Sequence, residues 1–244
     1  MEVGKWLTCP ILVLILDFGA LMPLIGYRKM SKKDQSPVIV SFVGQKGGVG
    51  KSALARLVAV GAAHRELNVL LADFDLEQLT CVSWNAKRLQ SGMLPDIDVR
   101  AFKSLKKLAV AAKGFDLVVV DTRGLADNFT TEIVEESDLI FLPTGASFDD
   151  LDPTLALAKA LRKKGTRRKI VLIFSKIGKS ERQFSVAAAS VEEAGHEILG
   201  ETWPYRDGFQ ADLDAGRAGR EAWNRYLRDA AIELENAIFE RIGI

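Results

Sequence analysis

The amino-acid sequence predicts an α/β fold in which helices flank a doubly wound, mostly parallel β-sheet. Two observations predict this fold. From Pro37 onward, short apolar runs alternate with segments of helical periodicity, and such alternation is typical of right-handed βαβ units. Several runs, such as VIVSFV from Val38 to Val43, contain almost no polar residue, as expected for strands that a parallel sheet buries on both faces.

The predicted elements follow one another with little between them. The predicted strands are Val38–Val43, Asn68–Asp73, Asp98–Phe102, Leu117–Asp121, Leu139–Pro143, Lys169–Phe174 and Ile198–Trp203. The helical patterns lie near residues 51–65, 78–90, 103–112, 126–136, 150–164, 181–195 and 219–241. No internal repeat or low-complexity tract interrupts the sequence after residue 37. We therefore expect one domain over residues 37–244, preceded by a separate segment, residues 1–36.

Composition restricts the classes of function. The net charge of +1 provides no global field toward nucleic acid, so any such binding must use a local basic patch. The chain has two cysteines, Cys9 and Cys81, and no C-x-x-C motif. This argues against a disulfide framework, a cysteine zinc site or a multi-cysteine cluster within one chain. A reducing cytoplasm is the compartment that fits.

The N-terminal segment differs from the rest of the chain. Leu7–Gly26 is almost entirely apolar and long enough to span a bilayer, but Asp17 and two prolines, Pro10 and Pro23, interrupt it. Three interpretations stay open: a membrane anchor, an uncleaved signal-like segment, or an over-called start with the true chain beginning at Met30. We favour the last interpretation over anchoring through residues 7–26. If the segment does span a membrane, the basic residues after it would keep the domain in the cytoplasm; they are Arg28, Lys29, Lys32 and Lys33.

A glycine-rich segment, Gly44–Ser52, joins the first predicted strand to the first predicted helix. Glycines let successive backbone N–H groups turn toward phosphate oxygens, and the helix N-terminus adds partial positive charge. This context predicts a P-loop that binds ATP, with Lys51 on the β- and γ-phosphates and the Ser52 hydroxyl on Mg²⁺. The predicted nucleotide-binding residues are Gly47, Gly48, Val49, Gly50, Lys51 and Ser52.

Carboxylates stand at the ends of two predicted strands. Asp73 and Asp75 end the run LLADFD, and Asp121 ends the run LVVVD. Ligands of open α/β sheets bind beyond the carboxyl ends of the strands, where a phosphoryl-transfer site needs acids near the metal and the attacking water. Strand-end aspartates also cap the helix that follows. That alternative stays open for each acid, and most for Asp73.

The details of the loop point to a family. The ordinary Walker A pattern requires glycine where Gln45 stands, whereas K-G-G-x-G-K-[ST] fits from Lys46 to Ser52. This deviant Walker A motif resembles that of the ParA/MinD family of dimerising ATPases. The resemblance implies that Lys46 reaches the nucleotide of a partner subunit in a homodimer. It also implies that Asp75 orients the hydrolytic water and that Asp121 holds the Mg²⁺ shell through water.

Two segments depart from the family pattern. The usual D-P-Q after the first acids is replaced here by Asp75-Leu76-Glu77-Gln78. The usual T-P-P after the Walker B acid is replaced by Thr122-Arg123-Gly124. Since that second loop senses the γ-phosphate in the family, the departure leaves its effect on hydrolysis open.

Looser patterns resemble the small plasmid and chromosome partition ATPases. They are W-x-x-x-R at Trp84 and Arg88, the stretch Pro143–Leu151, and the tail Tyr205–Gly216 followed by Glu221. The resemblance implies an ATP-bound dimer that binds non-specific DNA and a cognate ParB-like activator. Phosphate contacts need local basic residues. Two candidate patches, each of which could also be a plain solvated face, are Lys159–Lys169 and the set Arg217, Arg220, Arg225 and Arg228.

Other branches of the superfamily were weighed against this one. A MinD-like membrane-cycling ATPase is the closest rival, but the tail after Gly219 mixes acids with its arginines and reads as a packed helix. We expect Trp223, Leu227, Ile232 and Phe239 to form its apolar side. A redox ATPase of the superfamily would need more cysteines than the two present. A tyrosine kinase would need a tyrosine-rich tail, and the chain has three tyrosines in all. A metabolic ATP-dependent ligase stays open. The isolated His64 and His196 are expected to be structural or exposed.

Overall fold

The computed structural model describes residues 36–124, 128–163, 169–178, 180–204 and 207–244. The predicted N-terminal segment therefore lies outside the described residues, except for Ser36. Within the ranges given, no helix is both long and apolar enough to cross a membrane.

The strands form one parallel sheet in the described part of the chain. Its order is β3-β2-β4-β1-β5-β6-β7, and β8 pairs with β6. The strands are β1 Val38–Phe42, β2 Val69–Asp73, β3 Asp98–Ala101, β4 Leu117–Asp121, β5 Leu139–Thr144, β6 Lys169–Ile177, β7 Glu197–Ile198 and β8 Trp203–Pro204. This confirms the predicted doubly wound α/β fold.

Among the described residues, six helices alternate with strands β1 to β7, as the sequence predicted, and two more follow β8. They are α1 Lys51–His64, α2 Thr80–Gln90, α3 Leu105–Ala111, α4 Asn128–Glu136, α5 Phe148–Lys163, α6 Glu181–Glu193, α7 Asp207–Asp214 and α8 Arg225–Ile242. Helix α1 packs on one face of the sheet and also contacts α8. Its side of the core includes Leu54, Val58 and Phe239, all almost completely buried.

The central strands are buried because both faces of the sheet are covered. Every residue of β2, β4 and β5 is buried. Their side chains divide between separate apolar clusters: in β4, Val119 packs into the cluster on the α1 side, whereas Val118 and Val120 pack into the other. The continuous apolar runs in the sequence thus reflect two buried faces.

Two predicted elements differ in the structure. In place of the predicted strand Ile198–Trp203 there are two two-residue strands. β7 pairs with β6 at Val171 and Leu172, whereas β8 pairs with β6 at Ser175 and Ile177, between which the register shifts. The helix predicted near residue 219 begins only at Arg225. A short 3-10 turn occupies Gly219–Glu221, and the Asn224 side chain caps α8 by accepting from the Leu227 amide at 3.3 Å.

The prediction that Trp223 belongs to the apolar side of the last helix is wrong. Trp223 lies before α8 and its exposed fraction is 77%. Leu227 and Phe239 are buried as predicted, and Ile232 is half-buried. The helix α7 was not predicted.

The carboxyl ends of the central strands bring the predicted acids together. Asp73 and Asp121 are register partners at the ends of β2 and β4. Phe42, the last residue of β1, is the other partner of Asp121. The loop after β1 therefore starts beside both acids.

Candidate functional site

The glycine-rich loop occupies the turn between β1 and α1. Gly50 directly precedes the helix with φ of +99°, and a Cβ there would lie 2.4 Å from Ser175 Oγ. Gly48 also has a positive φ, +77°. Only glycine adopts both conformations without strain and allows the close approach at residue 50. The backbone therefore requires glycine at residue 50 and favours it at residue 48.

Lys51 begins α1 and is buried, with 7% of its surface exposed. Its Nζ donates to the backbone carbonyl of Lys46 at 3.1 Å, so the side chain folds back along the loop. Burial lowers the pKa of Lys51, while the nearby charges of Asp121 and Asp75 oppose the shift. The result is a desolvated cation at the helix N-terminus, where an anionic ligand is favoured.

Asp121 ends β4 and is buried, with 1% of its surface exposed. Burial raises its pKa to about 6, and a hydrogen bond with the Ser52 side chain acts in the opposite direction. The Cys81 thiol donates to Oδ2 at 3.2 Å. Oδ1 has no hydrogen-bond partner among the described residues. A buried carboxylate with one unpartnered oxygen beside a serine hydroxyl suits a hard cation and its water shell.

Asp73 uses both carboxylate oxygens on the backbone. Oδ1 accepts from the Asp75 amide at 3.0 Å, and Oδ2 accepts from the amides of Cys81 and Val82 at 2.9 and 3.3 Å. The Cys81 and Val82 amides belong to the first turn of α2, so Asp73 caps that helix. Of the alternatives left open by the sequence, the structural one therefore holds for Asp73.

Asp75 lies at the wall of a cavity of about 970 Å³. The same cavity is lined by residues of the glycine-rich segment Gly44–Ser52, called the phosphate loop below: Gly47, Gly48, Gly50, Lys51 and Ser52. One Asp75 oxygen accepts from the Gln78 amide at 3.1 Å, and the side chain is half-buried. Trp203, Pro204 and Phe209 also line the cavity. The volume and the mixed apolar and polar lining are those of a small-molecule site.

The loop after β4 packs against the phosphate loop. Thr122 Oγ1 donates to the carbonyl of Phe42 at 2.9 Å. A Cβ on Gly124 would lie 3.3 Å from the carbonyl oxygen of Gln45. The segment that departs from T-P-P thus still contacts the loop and lines the large cavity.

The Lys46 side chain does not line the large cavity that Lys51 borders. Its side chain is 47% exposed and forms an ion pair with Asp150 of the same chain. The hydrogen bond raises the pKa of Lys46 and lowers that of Asp150. A second cavity, of about 400 Å³, is lined by both residues and by Lys176.

Three residues at the site were missed from the sequence. Cys81 contacts Asp121, as described above. Arg56 lies one turn after Ser52 on α1, lines the large cavity and donates to the Thr80 carbonyl at 2.6 Å. Lys176 borders both cavities with a positive φ of 59°. The i, i+4 spacing from Ser52 could have suggested Arg56, whereas no sequence pattern marks the other two.

Two of the three looser family patterns, W-x-x-x-R and the tail with Glu221, form packing contacts with each other. Trp84 Nε1 donates to the carbonyl of Arg217 at 3.1 Å. The Arg88 guanidinium donates to both carboxylate oxygens of Glu221 at 2.6 and 2.8 Å. A Cβ on Gly216 would lie 2.7 Å from the Arg88 amide nitrogen. Both halves of the resemblance therefore join α2 to the segment before α8.

The second basic patch is only partly available. Arg220 pairs with the buried Glu235 at 2.6 Å, and Arg217 lies 3.8 Å from the buried Asp212. Arg225 is the most open of the four, with 86% of its side chain exposed. Of the first patch, residues 164–168 lie outside the described ranges.

Several known proteins resemble this chain. Residues 40–217 match the CobQ/CobB/MinD/ParA nucleotide-binding domain. Over 149 residues the chain is 30% identical to maintenance of carboxysome distribution protein A of Gloeobacter kilaueensis, covering 59% of this chain and 66% of that protein. Over 171 residues it is 25% identical to protein ParA of Rhizobium radiobacter, covering 67% of this chain and 76% of that protein. The septum site-determining protein MinD of Pyrococcus horikoshii OT3, solved with Mg-ADP, has the same fold, with a TM-score of 0.66 at 18% identity over 85% of this chain and 98% of that one.

Proposed function

Because the chain belongs to the CobQ/CobB/MinD/ParA nucleotide-binding family, we propose that it is an ATP-dependent dimerising switch for plasmid or chromosome partition. In this proposal the ATP-bound dimer binds DNA without sequence preference. A cognate ParB-like partner then stimulates hydrolysis of ATP to ADP and phosphate, and the dimer dissociates. We place this cycle in the cytoplasm, on nucleoid DNA.

The observation that carries the proposal is the convergence of two lysines and two acids on one glycine-rich loop. Lys51 and Asp75 face the large cavity beside Ser52, and Asp121 hydrogen-bonds to Ser52 behind it. Lys46, in the same loop, borders the second cavity. A phosphoryl-transfer site needs this combination, since catalysis there consists mainly of positioning and charge stabilisation.

The residues present fit a magnesium ion. Ser52 would supply a hydroxyl ligand, and Asp121 would accept hydrogen bonds from metal-bound water through its unpartnered Oδ1. Oxygen ligands of this kind are the ones that Mg²⁺ takes together with substrate phosphates. When bound, the ion would neutralise charge on the β- and γ-phosphates.

The protein's own side chains divide the remaining tasks. Lys51, desolvated and close to two carboxylates, is placed to contact the phosphates without a large change in its surroundings. Asp75 would accept a hydrogen bond from the attacking water and so orient it, since Asp75 lines the cavity. The fixed glycine backbone supplies further N–H donors.

Dimerisation would give Lys46 its function. In the single chain its ammonium group pairs with Asp150, and nearly half of the side chain is exposed. An ion pair with this exposure stabilises the fold only weakly, so the lysine can leave it at little cost. In the proposed homodimer it would extend to the phosphates bound by the partner subunit.

DNA binding would use the start of α8. Arg225 and Arg228 are three residues apart and hence lie on one side of the helix. Such arginines bind phosphates without reading bases, and their contribution falls as salt rises. The related Gloeobacter kilaueensis and Rhizobium radiobacter proteins carry names that refer to carboxysome distribution and to ParA, and both suit a cargo-positioning role.

A second candidate is a MinD-like membrane-associated positioning ATPase. The apolar run Leu7–Gly26 favours it. Binding of the full chain to liposomes, with and without ATP, tests this candidate independently of DNA. Binding that is lost on deletion of residues 1–29 would support it.

The test of the main proposal is retention of the full chain on random-sequence duplex DNA. At moderate salt we expect retention with Mg·ATP and none with Mg·ADP. An Arg225→Ala, Arg228→Ala double variant should be retained less and should show a shallower dependence on salt. Equal retention with both nucleotides, or none with either, would refute the DNA-binding switch.

A further inference from the structure

A buried cysteine lies in direct contact with the acid assigned to the magnesium shell. Cys81 is the second residue of α2 and has no exposed surface. Its thiol donates to Oδ2 of Asp121 at 3.2 Å, a good distance for a sulfur donor. No sequence motif assigns this residue a role, and it is too deeply buried to act as a nucleophile or a redox centre.

The position of the thiol is determined by the backbone around it. The Cys81 amide donates to the Asp73 carboxylate at 2.9 Å, and the preceding carbonyl, that of Thr80, accepts from Arg56 at 2.6 Å. The first turn of α2 is thus held from β2 on one side and from α1 on the other. These bonds fix the Cys81 backbone relative to Asp121, and the side-chain rotamer then places the sulfur against the carboxylate.

The contact selects one orientation of the Asp121 carboxylate. The terminal torsion of an aspartate is broad, so a buried carboxylate needs donors to define its plane. The Ser52 hydroxyl also hydrogen-bonds to this carboxylate, but in the proposed complex it would turn to Mg²⁺. The thiol engages Oδ2, whereas Oδ1 is buried and has no partner among the residues described. The two oxygens of one carboxylate are therefore differentiated in the protein itself.

We propose that Cys81 is a positioning residue for magnesium: its thiol holds Asp121 so that Oδ1 is directed to the water shell of the ion. The inference rests on the proposed function, in which Asp121 serves the Mg²⁺ of Mg·ATP. It is the same principle by which hydrogen bonds behind a ligand orient it toward a metal.

The test compares variants that separate hydrogen-bond donation from packing. Cys81→Val removes the donor and keeps a side chain of similar size; Cys81→Ala is a second donor-free variant in case valine impairs folding; Cys81→Ser keeps a donor. Ser137→Ala is the matched control, because it removes buried hydrogen bonds, to Ser41 and Ile133, away from Asp121. Each full-length variant is checked by its unfolding midpoint.

The readout is the affinity for a fluorescent ATP analogue in Mg²⁺ and in EDTA, taken as the ratio of the two dissociation constants. Loss of a hydrogen bond that orients a direct metal ligand typically lowers metal affinity about 10–100-fold. Asp121 would act through water, so we take the lower end of that range. We expect the ratio to fall about tenfold in the valine and alanine variants, and to stay close to wild type in Cys81→Ser and in Ser137→Ala.

The outcomes distinguish the inference from the function on which it rests. An unchanged ratio in both donor-free variants would overturn the role of Cys81 alone. An equal loss in Cys81→Ser would also overturn it, since packing rather than donation would then matter. If Mg²⁺ had no effect on the wild-type affinity, the proposed Mg·ATP function would fail, and this inference with it.

Discussion

The side chain of Lys46 donates a hydrogen bond to Asp150 of its own chain. Asp150 also accepts from the Ser147 hydroxyl at 2.7 Å, so the acid is held at the start of α5. The lysine proposed to act on a partner subunit thus forms, in the single chain, an ion pair in which its own side chain is 47% exposed and that of Asp150 is 26% exposed.

Replacing Lys46 by alanine should separate dimerisation from folding. Because exposed ion pairs stabilise a fold weakly, the free energy of unfolding should change little. Dimerisation with Mg·ATP should nevertheless be lost, as measured by light scattering. Lys113→Ala, at an exposed lysine after α3, is the control. Unchanged ATP-dependent dimerisation in Lys46→Ala would refute its action in trans.

Asp75 and Asp73, two residues apart, should respond differently to alanine. Asp75→Ala should leave ATP binding intact, abolish hydrolysis and hold the protein as the ATP dimer, because the water-orienting carboxylate is gone. Asp73→Ala should instead lower the free energy of unfolding by about 1 kcal/mol, since α2 loses its cap. Phosphate release and urea denaturation measure the two effects. Wild-type turnover in Asp75→Ala would remove that residue from the mechanism.

The pKa of Asp121 predicts a pH dependence of magnesium use. Burial raises this pKa to about 6, so lowering the pH from about 7.5 to about 5.5 protonates about three quarters of the carboxyl groups in the nucleotide-free protein. Metal shells need the ionised form. The Mg²⁺-dependent gain in ATP affinity should therefore weaken about fourfold over that range.

Asp121→Asn is the control for this pH effect. Phosphate groups of the nucleotide also titrate near neutral pH, and the asparagine variant retains only that contribution. A pH profile identical in the two proteins would show that Asp121 does not carry the effect.

The Arg88–Glu221 pair should be among the strongest side-chain contributors to stability. The Arg88 side chain is 1% exposed and the Glu221 side chain 11%. Removing one partner of a buried pair leaves an uncompensated charge, so Arg88→Ala should cost about 3 kcal/mol of unfolding free energy. Arg225→Ala, at a side chain that is 86% exposed, should change it by about 0.5 kcal/mol at most. Similar losses in both variants, measured by urea denaturation, would contradict this account.

Much of the fold could be predicted because the sheet is buried on both faces. Strands such as β4 and β5 are apolar without interruption for that reason. The helix α7 could not be predicted in the same way. It is eight residues long, contains Gly208, and buries only Phe209 and Asp212, so its apolar pattern is too short to show helical periodicity.

In the site, likewise, residues placed by local geometry could be predicted, whereas contacts between distant residues could not. Lys51 and Ser52 are placed by local backbone geometry, since Gly50 and the helix start adjoin them in sequence. The pairing of Lys46 with Asp150 joins residues 104 positions apart, and that of Cys81 with Asp121 joins residues 40 apart. Such contacts depend on how helices α2 and α5 enter the fold, which no local motif specifies.

The most direct test of the proposed switch is the mass in solution of the full wild-type chain, measured by light scattering without nucleotide, with Mg·ADP and with Mg·ATP. We predict a dimer with Mg·ATP and a monomer in the other two conditions. The same mass in all three conditions would contradict the central claim that ATP closes a dimer around the phosphate loop.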